Sequence, residues 1–211
     1  FRSGCIRGPY PDEWNSETVY RIGRYLPGLI DVKNFVIGRD ARPSSDEIFE
    51  YLSRGLNDSG ADVADIGIVD TPALYFANVH YKFPGSIMIT ASHNPACDNG
   101  MKIHKEDAVP VSNRSGLDAL ELLVEKAPDL PDDQVKGSVR KLDIRKDYVD
   151  LLAEYRQGIS SLKVVVECMN GCAGVFIHDI LKGLPGEYTL LNAEPDGSFP
   201  EHGPNPLIPE N

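Results

Sequence analysis

The chain has 211 residues, with 32 acidic side chains against 21 basic ones and a net charge of −11. That length provides for one or two domains with a real core, and the acidic field argues against nucleic acid and anionic membranes as partners. No stretch approaches the roughly 20 apolar residues of a membrane span and no charged-then-apolar leader opens the chain, so the protein reads as cytoplasmic.

Taken in chain order, NFVIG (34–38) is a short apolar run that predicts a strand. In the following PSSDEIFEYLSRGLNDSG, Ser44 and Glu47 have capping-box spacing, and Ile48, Leu52 and Leu56 recur every four residues. This predicts an amphipathic helix. ADVADIGIV (61–69) predicts a second strand, after which Thr71 and Pro72 supply an N-cap and a first-turn proline for a helix carrying Leu74, Phe76 and Val79. Ile87, Met88 and Ile89 form a third strand that runs directly into TASHNP (90–95), with Asn94-Pro95 and Asn99-Gly100 as strong turn signals. The segment APDLPDDQVKGS (127–138) breaks the pattern with prolines and acids. DYVDLLAEYRQGI then starts a new helix, LKVVVEC a new strand, and one further helix (about 173–182) and strand (about 187–192) follow.

Strands alternating with helices predict an α/β fold. The expected architecture is a mostly parallel sheet with flanking helices in a first domain, 1–140, followed by an incomplete second α/β domain, 141–211. Ligands of such sheets sit beyond the carboxyl ends of the strands, which singles out the loops 38–45, 69–72 and 90–100. The start at Phe1 without a methionine and the end in a proline-rich segment read as part of a longer protein. Cys5, Cys97, Cys168 and Cys172 are too sparse for a disulfide framework and lack zinc-site spacing, so they read as free thiols. Cys168 and Cys172 are expected on one side of a helix start.

Ser92 taken alone is an ordinary loop hydroxyl. Turn residues on both sides can arrange backbone N–H groups around an anion, and His93 adds a donor or a titrating group, so the same hydroxyl can carry phosphate. Lys102 follows the Asn99-Gly100 turn. It is a solvated strand lysine by base rate, but beside a phosphate-bearing serine it can neutralise charge or move a proton. Arg39 and Arg42 in GRDARPSS (38–45), and Arg7 in CIRGPYP, are either surface charges paired with neighbours such as Asp40 or bidentate phosphate contacts.

These residues resemble the α-D-phosphohexomutases, the family that includes phosphoglucomutase, phosphomannomutase and phosphoglucosamine mutase. The resemblance rests on TASHNP (90–95), supported in order by FRSGCIRG (1–8), GRDARPSS (38–45), TPA (71–73), NGMKI (99–103), VVVECMNGCAG (164–174) and DGSFPEHGPNP (196–206). It spans essentially the whole chain. The resemblance implies that Ser92 passes phosphate to one hydroxyl of a hexose phosphate and recovers it from another, through a bisphosphorylated sugar. It implies Lys102 as acid/base, Arg7 near the transferring group and His93 beside the nucleophile; Thr90 and Asn94 join Arg39 and Arg42 as phosphate or substrate contacts. It further implies Mg²⁺, held by the phosphate on Ser92 and three aspartates of a DGDxDR-type loop, and a hexose 1,6-bisphosphate activator. No DGDxDR sequence occurs in these 211 residues, so this chain by itself is expected to be inert and to bind Mg²⁺ weakly.

Three residues depart from the family pattern. Gly4-Cys5 stands where relatives carry an aromatic and an acid, and Glu167 replaces a common aspartate, a change expected to be conservative at a core or turn position. TASHNP rather than SASHNP leans towards phosphomannomutase or phosphoglucomutase. The alternatives are phosphoglucosamine mutase, or a non-catalytic sugar-phosphate-binding module; hexose phosphates are the expected partners in each case. The oligomeric state is not legible.

Overall fold

A computed structural model describes residues 4–131 and 135–210. Phe1–Ser3 of the first motif and residues 132–134 of the proline-rich connection lie outside the described residues. The main sheet has six strands: β1 (Ile6–Pro9), β2 (Asn34–Arg39), β3 (Asp62–Ile68), β4 (Gly85–Ile89), β5 (Asp98–Lys105) and β6 (Val139–Lys141). They lie in the order β1-β5-β4-β2-β3-β6. β2 pairs in parallel with β3 and β4, and β3 with β6, whereas β5 is antiparallel to β4 and β1 to β5. The sheet is therefore mostly parallel with an antiparallel side. Lys141, placed in the second unit by the sequence, is the last residue of β6 and pairs with Asp65.

Strand alternation divides the core. Phe35, Ile37, Ile87, Ile89, Met101 and Ile103 point to one face and are covered by α1 (Ser16–Ile30), α2 (Ser45–Asp58) and α4 (Leu117–Lys126). Val36, Ala64, Ile66 and Met88 point to the other, where α3 (Thr71–His80), α5 (Arg145–Ala153) and α6 (Gly174–Leu181) supply Leu74, Tyr148 and Phe176. The helices of the second unit thus finish the core of the first. The second unit's own sheet pairs β7 (Leu162–Glu167) with β8 (Gly186–Leu191) in parallel.

Several local expectations need correction. Ser44 makes no capping hydrogen bond at α2; its hydroxyl instead accepts from Asn99 Nδ2 at 2.9 Å. Asp70, not Thr71, caps α3, because its carboxylate accepts the Ala73 N–H at 2.8 Å and Thr71 is already helical. Val79 is half exposed and does not join the core. Cys168 and Cys172 both precede α6, so they do not share a helix face. Helices α1 and α4 have no counterpart among the expected elements, although Val19, Ile22, Leu26 and Ile30 carry a clear helical stripe after the Asn15 cap. All four cysteines are free, and among the described residues no helix is long and apolar enough to cross a membrane.

Candidate active site

β4 ends at Ile89, and the chain turns within three residues. Thr90 is buried; its backbone N–H donates to Gly100 O at 2.9 Å, and its Oγ1 accepts the Ser92 N–H at 2.9 Å. Ser92 is exposed and takes a left-handed conformation, φ +60°. A residue with a Cβ adopts this at a cost of about 1 kcal/mol or more, so the surroundings must hold it. Its hydroxyl is 3.4 Å from His93 Nδ1.

Arg42 is the main support. It is 3 % exposed. Its Nε donates to Asp40 at 3.0 Å, one terminal nitrogen to the carbonyls of Pro95 and, at 2.9 Å, Asp98, and the other to Ser92 O at 3.1 Å and Asn94 O at 2.7 Å. All five N–H donors of the guanidinium are engaged. The expectation that Arg42 contacts phosphate is therefore corrected: it shapes the loop from beneath. Asp40 is held in turn by the Ser45 hydroxyl at 2.6 Å, and Ser45 by Asn99 Nδ2 at 3.0 Å. Arg39 is also committed elsewhere, to Asp46 at 2.6 Å and Asp65 at 2.8 Å, with its guanidinium over the Phe49 ring.

The antiparallel β5 brings the next groups to the loop. Asn94 Nδ2 donates to Asp98 at 2.7 Å, and its carbonyl oxygen accepts from Arg7 at 3.4 Å. Arg7 stands opposite Gly100, and Lys102 opposite Met88. Lys102 is half-buried, and burial with the nearby Arg7 charge holds its pKa below the ordinary lysine value. That depression makes it a better proton carrier than a surface lysine.

Gly100 is required by close approach, since a Cβ there would lie 2.3 Å from Ile6 O and 3.0 Å from Thr90 O. Gly100→Ala is expected to push β1 from β5 and destabilise the chain by about 2–3 kcal/mol, readable by chemical denaturation.

A cavity of about 260 Å³ opens beside Ser92. It is lined on one side by Thr90, Ser92, Met88, Asp40 and Asp70, and on the other by Met169–Cys172, Phe199 and Pro204 of the second unit. Burial raises the Asp70 pKa. Burial also pushes the Cys172 thiol up to about 12, with the Asp40 carboxylate adding to the effect, so this thiol is unreactive despite its position. Glu167 organises the turn after β7: it accepts from Met169 N at 2.7 Å and Asn192 Nδ2 at 3.2 Å.

Sequence reasoning missed Asp40, Ser45, Asn99, Asp70 and the 169–172 turn as parts of this site. All five lie within or beside the quoted motifs, but only spatial assembly reveals which side chains face inward. Of the eight candidates, Ser92 and Thr90 line the cavity, His93 and Asn94 belong to the same loop, Arg7 reaches Asn94, and Lys102 lies on β5 opposite Met88.

His104 is two residues beyond Lys102 on the same face of β5, 4 % exposed, and in edge contact with the Tyr75 ring at 4.9 Å. Burial first, and Lys102 second, lower its pKa to about 4. Between about pH 4 and the ordinary 6.5 the unfolded chain binds more protons here than the folded one, so stability rises with pH across that window and is lost on acidification. His104→Phe is expected to remove up to about 2–3 kcal/mol of that pH dependence, measured as a flatter curve of unfolding free energy between pH 6.5 and 4.

The family model described as phosphoglucomutase/phosphomannomutase, alpha/beta/alpha domain I, matches residues 1–128, and that of domain II matches residues 146–211. A phosphomannomutase of Salmonella montevideo is 41 % identical over 219 residues, covering 100 % of this chain and 48 % of the relative. One from Escherichia coli K12 is 38 % identical, with the same coverage. A phosphoglucomutase/phosphomannomutase family protein from Burkholderia thailandensis superposes with a TM-score of 0.87 at 29 % identity, over 100 % of this chain and 47 % of that one. A structure from Thermus thermophilus, described as a putative phosphomannomutase, gives 0.83 at 27 % identity, over 98 % of this chain and 48 % of that one. The chain spans about half the length of the curated relatives it matches. With both models matched in order and TASHNP at the tip of the supported loop, the chain belongs to the phosphoglucomutase/phosphomannomutase family.

Proposed function

We propose that the protein containing this chain is a phosphohexomutase that interconverts hexose 1-phosphates and hexose 6-phosphates, with Ser92 as the phosphate carrier. The observation that carries the reading is the loop itself: an exposed serine in a strained conformation, held by a buried arginine, at the end of a strand whose neighbour carries a lysine of lowered pKa. Strain of this kind on a nucleophile is retained where the surroundings over-determine it.

In the forward half-reaction the bond between phosphorus and Ser92 Oγ breaks as a sugar hydroxyl oxygen bonds to the same phosphorus. The hydroxyl proton passes to a base, a role we give to Lys102, and the serine oxygen leaves with its electron pair and takes up a proton in return. The reverse transfer from the other end of the bisphosphorylated sugar restores the phosphoserine and releases the isomer. Arg7 offers charge to the phosphoryl oxygens, since such transition states are stabilised mainly by positioning and electrostatics. His93 lies beside the nucleophile. Thr90 fixes the Ser92 amide, and Asn94 ties the loop to Arg7, so both position the nucleophile; Arg39 is turned towards Asp46 and Asp65 and is left out of the transfer.

Mg²⁺ would supply charge neutralisation at the phosphoryl group. The residues present do not complete a site for it: among the described residues no group of three or more His, Cys, Asp or Glu side chains is placed to hold a metal, and Ser92 would contribute only through its phosphate. The two-domain division, 1–140 and 141–211, is part of this reading, supported by the ranges of the two family models.

Mannose phosphate leads among substrates because relatives at 38–41 % identity are named phosphomannomutase. The test is a turnover assay of the full-length protein with mannose, glucose and glucosamine 1-phosphates, each with catalytic hexose 1,6-bisphosphate. Turnover of mannose or glucose phosphate with peptide mass spectrometry placing phosphate on Ser92 supports the reading. Preference for the glucosamine substrate selects phosphoglucosamine mutase, and binding without turnover selects the non-catalytic module.

A further inference from the structure

A cavity of about 580 Å³ lies away from Ser92, between α1, α2 and the segment that follows α4. It shares no lining residue with the Ser92 cavity. At its edge stands Arg54, which is exposed. Its guanidinium lies 4.8 Å from the Tyr20 ring centroid and 4.7 Å from that of Tyr51. Among the described residues Arg54 makes no hydrogen bond or ion pair. Two aromatic rings therefore hold a cation that keeps its N–H donors for a ligand, and little side-chain freedom remains to be lost when an anion arrives.

The rest of the lining reinforces the positive character. Arg24 is 5 % exposed and donates to the backbone carbonyls of Asp58, Leu130 and Pro131. Arg21 donates to the carbonyls of Leu123, Val124 and Ala127 and pairs with Asp129 at 2.6 Å, which neutralises that acid. Glu17 is the remaining acid of the lining. Ser16 and Glu17 open α1, a 15-residue helix, so the positive end of its dipole adds to the same space. In a chain of net charge −11, this is a local reversal of sign.

We infer that this cavity is a second anion site, one that takes a small phosphomonoester. The volume falls within the range of small-molecule pockets. The guanidinium fork suits two oxygens of one phosphate, and the start of α1 suits a dianion better than a monocarboxylate. The inference does not rest on the phosphohexomutase reading, because none of its residues belongs to that site.

The test is an NMR titration of the ¹⁵N-labelled 211-residue chain with inorganic phosphate at constant ionic strength, repeated with glycerol 2-phosphate and with acetate. Saturable shifts are expected at Ser16, Glu17, Tyr20 and Arg54, separate from any at residues 90–94. Arg54→Gln, a surface change that leaves the fold intact, is expected to weaken the first set at least tenfold and to spare the second. Lys102→Met is expected to spare the first set. Shifts at the first set that stay linear with phosphate, or that persist unchanged in Arg54→Gln, overturn the site. Equal saturation by acetate overturns the phosphomonoester class.

Discussion

Replacing Ser92 by alanine is expected to lower mutase turnover of the full-length protein by about 10⁴-fold or more, with thermal stability almost unchanged. The size follows from the proposed role: without Oγ there would be no atom to hold the phosphoryl group between the two transfers, and loss of a covalent nucleophile removes the whole catalytic route rather than a fraction of it. The small effect on stability follows from the structure. The Ser92 side chain is exposed, its one side-chain neighbour within hydrogen-bond reach among the described residues is His93 at 3.4 Å, and the loop is held through the Ser92 backbone by Thr90 and Arg42. Alanine keeps that backbone, so a change within about 0.5 kcal/mol is expected. Steady-state assays, thermal unfolding and intact mass together check this. A variant that turns over at the parental rate, or that still carries phosphate on Thr90, removes Ser92 from the mechanism.

Arg42→Ala should have the largest effect on stability, about 3–5 kcal/mol. Deletion leaves the Asp40 carboxylate without its charge partner at 3.0 Å and strips donors from the carbonyls of Ser92, Asn94, Pro95 and Asp98. Each abandoned acceptor is a further cost. The loss spreads to the second unit, because the Phe199 ring lies over the guanidinium and Gly197 packs where a Cβ would meet Ala41 O at 2.2 Å. Arg42→Lys is expected to recover little, since an ammonium has three donors and no planar fork. Urea denaturation measures the stability, and amide hydrogen exchange across residues 90–98 reports the loop. An Arg42→Ala variant within about 1 kcal/mol of the parent, well short of the cost of a broken buried pair, would mean that the loop is held by other contacts.

Arg39 and Arg42 show where sequence reading stops. They look alike as strand-end cations in GRDARPSS, and both suit phosphate by residue type. Burial separates their roles, because Arg42 lies beneath the serine loop with every donor occupied, while Arg39 is drawn to Asp46 and Asp65. Asp40 and Asp46 are near enough in the chain to be guessed as partners, but Pro95 and Asp98 are 53 and 56 positions away from Arg42 and Asp65 is 26 from Arg39, so neither set can be completed from spacing.

The caps illustrate the same limit at short range. Ser44 and Glu47 have the right spacing for a capping box, yet the Ser44 hydroxyl is taken by Asn99 from β5, so a tertiary partner displaces the local one. Helix α1 is different, because its stripe of Val19, Ile22, Leu26 and Ile30 is as regular as that of α2 and is legible in the chain itself.

By itself the sequence determined the α/β class, the alternation of strands and helices, the serine loop at a strand's end and the family likeness. Those properties are encoded locally, in apolar periodicity, turn dipeptides and contiguous motifs. The tertiary structure decided the antiparallel placement of β1 and β5, the covering of the first sheet by α5 and α6, the roles of Arg39 and Arg42, the lowered pKa of Lys102 and His104, and the seating of Arg54 between two tyrosines. Each of these depends on which distant residues share a dielectric environment or a hydrogen-bond acceptor, and that is settled only when the chain packs.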